Sequence, residues 1–128
     1  MYDAAHHATG LSSLNRQRLT DLLGNDRLGI AEILEIGLGS IAELTAQLRS
    51  ALAKDMWEDA KAAAHELKGV CANIGAEELS EIGARFQATL SRSSPRASTS
   101  LKDVDGLNAA LERFEHDVRD YLAALASP

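Results

Sequence analysis

The spacing of the aliphatic residues constrains this chain more than anything else in it. Leucine, isoleucine and valine recur at three- and four-residue intervals through most of its length, and no run alternates as a strand would. Its two prolines, Pro95 and Pro128, fall in a loop and at the end, so neither interrupts a candidate helix. Such a chain buries its apolar residues by laying amphipathic helices against one another. Aromatics are only 4% of the residues, so Leu, Ile, Val and Ala must fill the core, which suits helices better than a β-sandwich. With 128 residues, 45% of them hydrophobic, the chain has the size and apolar content for one folded domain without disulfides or metals.

Punctuation along the sequence predicts the elements. A short leader helix covers about Asn15 to Leu23 and closes at Gly24-Asn25. The next segment runs from Arg27 to Lys54, with Leu28, Ile33, Ile36, Ile41, Leu44, Leu48 and Leu52 expected on its buried side. Gly37 and Gly39 weaken its middle, and Ser40-Ile41-Ala42-Glu43 has the pattern of a fresh helix start. Asp55-Met56-Trp57-Glu58 has a similar pattern and opens a helix that ends at Gly75. A fourth segment, Ala76 to Leu90, buries Leu79, Ile82, Phe86 and Leu90, and the Ser-rich stretch Ser91 to Ser100 is the clear loop. A last helix from about Leu101 to Ala126 carries the stripe Val104, Leu107, Leu111, Phe114, Val118, Tyr121, Leu122 and Leu125. The expected fold is all-α: an antiparallel four-helix bundle with a short N-terminal helix. Residues 1–14 are expected as a flexible tail and residues 15–128 as a single bundle domain.

Charge and cysteine usage narrow the partners. The net charge of -6 and pI of about 5.1 point away from nucleic acid, which needs a basic face. Cys71 is the only cysteine, so no disulfide joins two parts of the chain, as suits a reducing compartment. No apolar run approaches the roughly 18 residues of a membrane span, and no signal peptide pattern opens the chain. The expectation is a cytoplasmic, monomeric protein or a soluble piece of a larger one.

Within the Trp57–Gly75 segment one residue stands apart. On a helical wheel, Ala63, Leu67, Val70 and Ile74 gather within roughly 40° of the pole opposite His65. Around His65 lie the small residues Ala62, Gly69 and Ala72, bordered by Glu58 and Lys61, with Lys68 three residues on. An interior glycine costs helix stability. At Gly69 the missing side chain leaves room above the imidazole for another protein. Imidazole, with an ordinary pKa of about 6.5, is a nucleophile near neutral pH. Attack on a phosphoryl group gives a transferable phosphoramidate, and a lysine at i+3 can steady phosphoryl oxygens. Set against this, an isolated exposed helix histidine is usually only solvated.

The run Ala64-His65-Glu66-Leu67-Lys68-Gly69, followed by Asn73, Gly75 and Ala76, resembles the signature of histidine-containing phosphotransfer (HPt) domains. A looser resemblance covers about Arg27 to Leu125 and includes the turn before the helix at Ala51 to Trp57. The resemblance implies an antiparallel four-helix bundle with His65 as phosphoacceptor, Lys68 assisting the phosphoryl group and Gly69 keeping the surface open. It implies receiver domains of response regulators, or hybrid histidine kinases, as partners; Glu58, Lys61, Ala62, Ala72 and Asn73, on or beside the His65 face, are the expected docking residues. The Mg²⁺ would belong to the receiver; no cofactor or metal is expected on this chain, nor autokinase activity, and no phosphate-binding glycine loop occurs. The sequence departs from the family where a phenylalanine is common, near Ile36 and Leu38, and where Leu-Glu is common, at Phe86-Gln87.

Other readings stand beside this one. The same bundle could bind a receiver or another signalling protein without carrying phosphate. A metal-binding bundle would need inward carboxylate and histidine sets, and no Glu-x-x-His precedes His65 or His116. His6 and His7 read as tail, His116 as solvated, Cys71 as an inert core thiol, and Glu77, Glu78 and Glu81 as a solvated face.

Overall fold

The computed structural model describes residues 10–92, 99 and 101–127. Five helices make up the fold: α1 (Arg16–Leu23), α2 (Arg27–Ala53), α3 (Trp57–Ile74), α4 (Glu77–Leu90) and α5 (Leu101–Ala126). No strand occurs among the described residues. The four long helices close into a ring, α2 against α3, α3 against α4, α4 against α5 and α5 back against α2. Connections as short as residues 54–56 and 75–76 make α2 and α3, and α3 and α4, run antiparallel. Most of the expected 91–100 loop lies outside the described residues.

Local chemistry sets the ends. The Asn15 side chain caps α1 by accepting from Arg18 N, and Asp26 caps α2 by accepting from Gly29 N. Gly75 ends α3 at φ 87°, the left-handed geometry that glycine adopts without strain. A side chain there would also collide, because a Cβ would stand 2.7 Å from the Asn15 carbonyl. The expected cap at Asp55 is corrected: Asp55 itself takes φ 56°, and the N-cap is Met56, whose side chain makes no cap bond.

Two further expectations change. Helix α2 does not restart at Ser40; it is one continuous helix, about 40 Å long at 1.5 Å per residue. Its inner stripe is Ile30, Leu34, Gly37, Ile41, Leu44, Thr45, Leu48 and Ala51. Leu28, Ile33 and Ile36 lie outside, and Ile36 is 66% exposed. Gly37 takes the inward position because α3 comes close there; a Cβ on Gly37 would stand 2.7 Å from Ile74 Cδ1. The glycine expected to weaken the helix is the one that lets Ile74 pack.

The segment assigned to the tail is folded from residue 11 on. Ser13 and Leu14 are buried. The Ser12 carbonyl accepts from Glu78 N, Ser12 Oγ donates to Glu77 Oε1 at 2.8 Å, and Ser13 Oγ donates to the Asp117 carboxylate. Asn15 N donates to the Gly75 carbonyl at 2.7 Å, and the Arg16 guanidinium lies 4.5 Å from the Tyr121 ring centre. Together with Arg27, which donates to the carbonyls of Ala124, Leu125 and Ser127, these bonds close one end of the bundle. Glu78 is not on a solvated face. It is buried at the start of α4 and takes two bonds from Arg113 of α5, at 2.7 and 3.0 Å. Residues 1–9, with His6 and His7, lie outside the described residues.

Candidate functional site

Helix α3 is gripped by α2 on one flank and α4 on the other, and its remaining side faces solvent. Ala60, Ala63, Ala64, Leu67, Cys71 and Ile74 are buried. His65 is exposed, together with Glu58, Ala62, Glu66, Gly69, Ala72 and Asn73; Lys61 and Lys68 are half-buried. All eight residues singled out on this helix therefore share its outer side. A Cβ built on Gly69 meets nothing within 4 Å, so the space beside the ring is open. The Lys68 ammonium makes no hydrogen bond or ion pair among the described residues and can turn toward an incoming anion.

The residue that sequence reasoning missed is Gln87. Its carboxamide nitrogen lies 2.9 Å from His65 Nδ1. A carboxamide carries a donor at one end and an acceptor at the other, and a half-turn of the group exchanges what it offers. With the nitrogen inward, Nδ1 accepts and the ring proton sits on Nε2. With Oε1 inward, Nδ1–H donates to Gln87 and Nε2 keeps its lone pair facing out. Only the second arrangement makes a nucleophile at the exposed end of the ring. A signal for Gln87 was present: His65 stands ten residues before Gly75, and Phe86 ten after Ala76. A two-residue turn brings those positions level, and Gln87 is the polar residue of that turn of α4.

Elsewhere the chemistry is quiet. Burial pushes the Cys71 thiol up to about 12, so it is no nucleophile in the fold. The ligand atoms of His116, Asp117 and Asp120 lie within 4.8 Å of one another, but all three residues are at least partly exposed. His116 Nε2 pairs with Asp120 at 3.2 Å one turn along α5, an ordinary surface contact. A cavity of about 440 Å³ between α4 and α5 is lined by Arg85, Arg92 and Lys102 over Phe86 and Leu107. Arg85 and Thr89 project from a different side of α4 than Gln87, so this cavity does not join the His65 face. No helix among the described residues is long and apolar enough to cross a membrane.

The family model described as Hpt domain matches residues 32–127, three quarters of the chain. No curated protein matches the sequence, and no solved structure does.

Proposed function

The chain belongs to the Hpt domain family, the phosphocarrier modules of two-component phosphorelays, and on that premise we propose that it carries the phosphoryl group on His65 Nε2. The donor is the aspartyl phosphate of a receiver domain, and a second receiver, or the same one in reverse, takes the group away. The observation that carries this reading is an imidazole on the open side of α3 whose inner nitrogen is held by Gln87.

The chemistry follows from that ring. The Nε2 lone pair attacks phosphorus; the P–N bond forms as the P–O bond to the aspartate breaks, and the aspartate leaves as a carboxylate. With the Gln87 carboxamide turned so that Oε1 faces the ring, Nδ1 keeps its proton and donates it to Oε1, so no proton has to move. The amide oxygen is too weak a base to take that proton, and the product is a phosphorylated imidazolium. A cationic ring is a good leaving group, which keeps the phosphoryl group transferable. Lys68 steadies the phosphoryl oxygens as a point charge. Gly69, with Ala62 and Ala72, lets the receiver bring its phosphoryl group to the ring; Glu58, Lys61 and Asn73 border the docking surface. The receiver would supply the Mg²⁺ and the aspartate.

The test is labelling by a phosphorylated receiver or a small phosphoramidate donor, read by mass. One acid-labile, base-stable phosphate is expected, lost entirely in His65→Gln with the helical circular dichroism unchanged. Wild-type protein that takes no label from several donors but binds receivers would establish the silent binding module instead.

A further inference from the structure

Three residues of α4, spaced three and four apart, touch the turn of α3 that holds His65. Ser80 Oγ donates to the Lys68 carbonyl at 3.0 Å. Gly83 is buried against the α3 backbone: a Cβ there would stand 3.0 Å from Lys68 N, 3.1 Å from the Ala64 carbonyl oxygen and 3.2 Å from Lys68 Cα. The Gln87 carboxamide nitrogen stands 2.9 Å from His65 Nδ1, and a half-turn of the amide brings Oε1 to the same place. The atoms that press on Gly83 belong to helical backbone and cannot swing aside as a side-chain tip would. The spacing between α3 and α4 at this level is therefore set by the absence of a side chain at Gly83.

On the reading of His65 as phosphoacceptor, we propose that Gly83 is a positioning residue for phosphotransfer. It lets α4 approach closely enough for Gln87 to hold the His65 ring in the tautomer that leaves Nε2 bare, while Ser80 fixes the same turn from the next position along. Gly83 touches neither donor nor phosphoryl group. Its effect reaches the chemistry only through Gln87. Gly69 and Gly83 thus serve one ring from two sides: the first leaves space outside it, the second removes space behind it.

The steric consequence is graded. Alanine asks the two backbones to part by a few tenths of an ångström, and the β-branched valine asks for more. The experiment compares wild type, Gly83→Ala, Gly83→Val, Gln87→Leu and the double variant Gly83→Val/Gln87→Leu. Two readings are taken on each: the ¹⁵N shifts of the His65 ring at a pH where it is neutral, which separate a protonated from a bare nitrogen, and the rate of phosphotransfer from a receiver. Circular dichroism restricts the comparison to folded variants, and Gly83→Ala, which gains helix propensity, serves if valine unfolds the bundle.

Wild type is expected to show a proton fixed on Nδ1, and Gln87→Leu a mixture of tautomers with transfer slowed about fivefold, the worth of one hydrogen bond. Gly83→Ala should fall between wild type and Gln87→Leu, Gly83→Val should approach Gln87→Leu, and the double variant should be no slower than Gln87→Leu alone. A fixed Nδ1 proton and a wild-type rate in both folded Gly83 variants would overturn the proposal. So would a double variant slowed by the product of the single effects, because Gly83 would then act by another route. If wild type takes no label at all, the ring shifts still decide the positioning claim, and only the phosphotransfer reading falls.

Discussion

The two sides of the His65 turn are built on opposite terms. Outward, Gly69 has nothing within 4 Å of where its side chain would be, and small residues surround the ring. Inward, α3 backbone lies 3.0 to 3.2 Å from where a Gly83 side chain would begin, and polar groups from α4 bind the turn at two points. Both positions forgo a side chain and both tax helix propensity. On the proposed reading the first glycine leaves room for an incoming receiver, while the second makes room for the neighbouring helix. A bulky side chain at Gly69 should therefore be visible only when a protein arrives, whereas a side chain at Gly83 should alter the isolated domain.

The sharpest way to break that distinction is Gly69→Leu. Transfer from a receiver should fall by about a hundredfold or more, since a displacement near 1 Å already costs that much. Labelling by a small phosphoramidate should persist at the wild-type rate. Equal losses with both donors, measured side by side, would mean that Leu disturbs the ring itself. Next comes the inner side at its far end, where Arg113→Ala leaves Glu78 buried without its partner. A loss of about 2 kcal/mol is expected in urea unfolding, below the value for a fully buried pair because Arg113 is part-exposed. Below the melting temperature, labelling should not change. Lys68→Gln tests the outer side again and should slow labelling about tenfold, below the loss of a preorganised oxyanion donor because the side chain is half-exposed and free to move. An unchanged rate with both small donor and receiver would remove Lys68 from the chemistry. The smallest effect belongs to the flank facing α2. Thr45 is fully buried and its hydroxyl has no partner, so Thr45→Val should add about 1 kcal/mol of stability and leave transfer unaltered.

Much of the fold was legible because glycine and capping residues punctuate it. Gly24, Gly75 and the Ser-rich stretch bound α1, α3 and α4, and α5 has a clean stripe from Leu107 to Tyr121. Helix α2 was harder. Its first half carries Leu28, Ile30, Ile33, Leu34, Ile36 and Leu38 on every side, so periodicity alone does not pick the inner face; the choice is made by Gly37 against Ile74. Glu78 was misread because an acidic residue in a first turn has a sufficient local reason to be there, and its buried pairing with Arg113 depends on contacts 35 residues away. At the site, His65, Lys68 and Gly69 could be placed on one face because they share a helix. Gln87 and Gly83 could not, since their roles exist only once α3 and α4 are in register.

The docking of residues 11–15 has a consequence in time as well as space. Ser12 binds Glu77 across 65 positions, Asn15 binds Glu77 across 62, and Ser13 binds Asp117 across 104. These residues leave the ribosome before any helix they touch, and their contacts close long loops. Residues 11–15, made before the helices they touch, should thus be among the last to settle, after the α3–α4 turn offers them the Gly75 carbonyl and the Glu78 amide. Pulsed hydrogen exchange during refolding should find the Asn15 and Glu78 amides protected later than those inside α3, so that a domain with otherwise local contacts waits on its own beginning to finish.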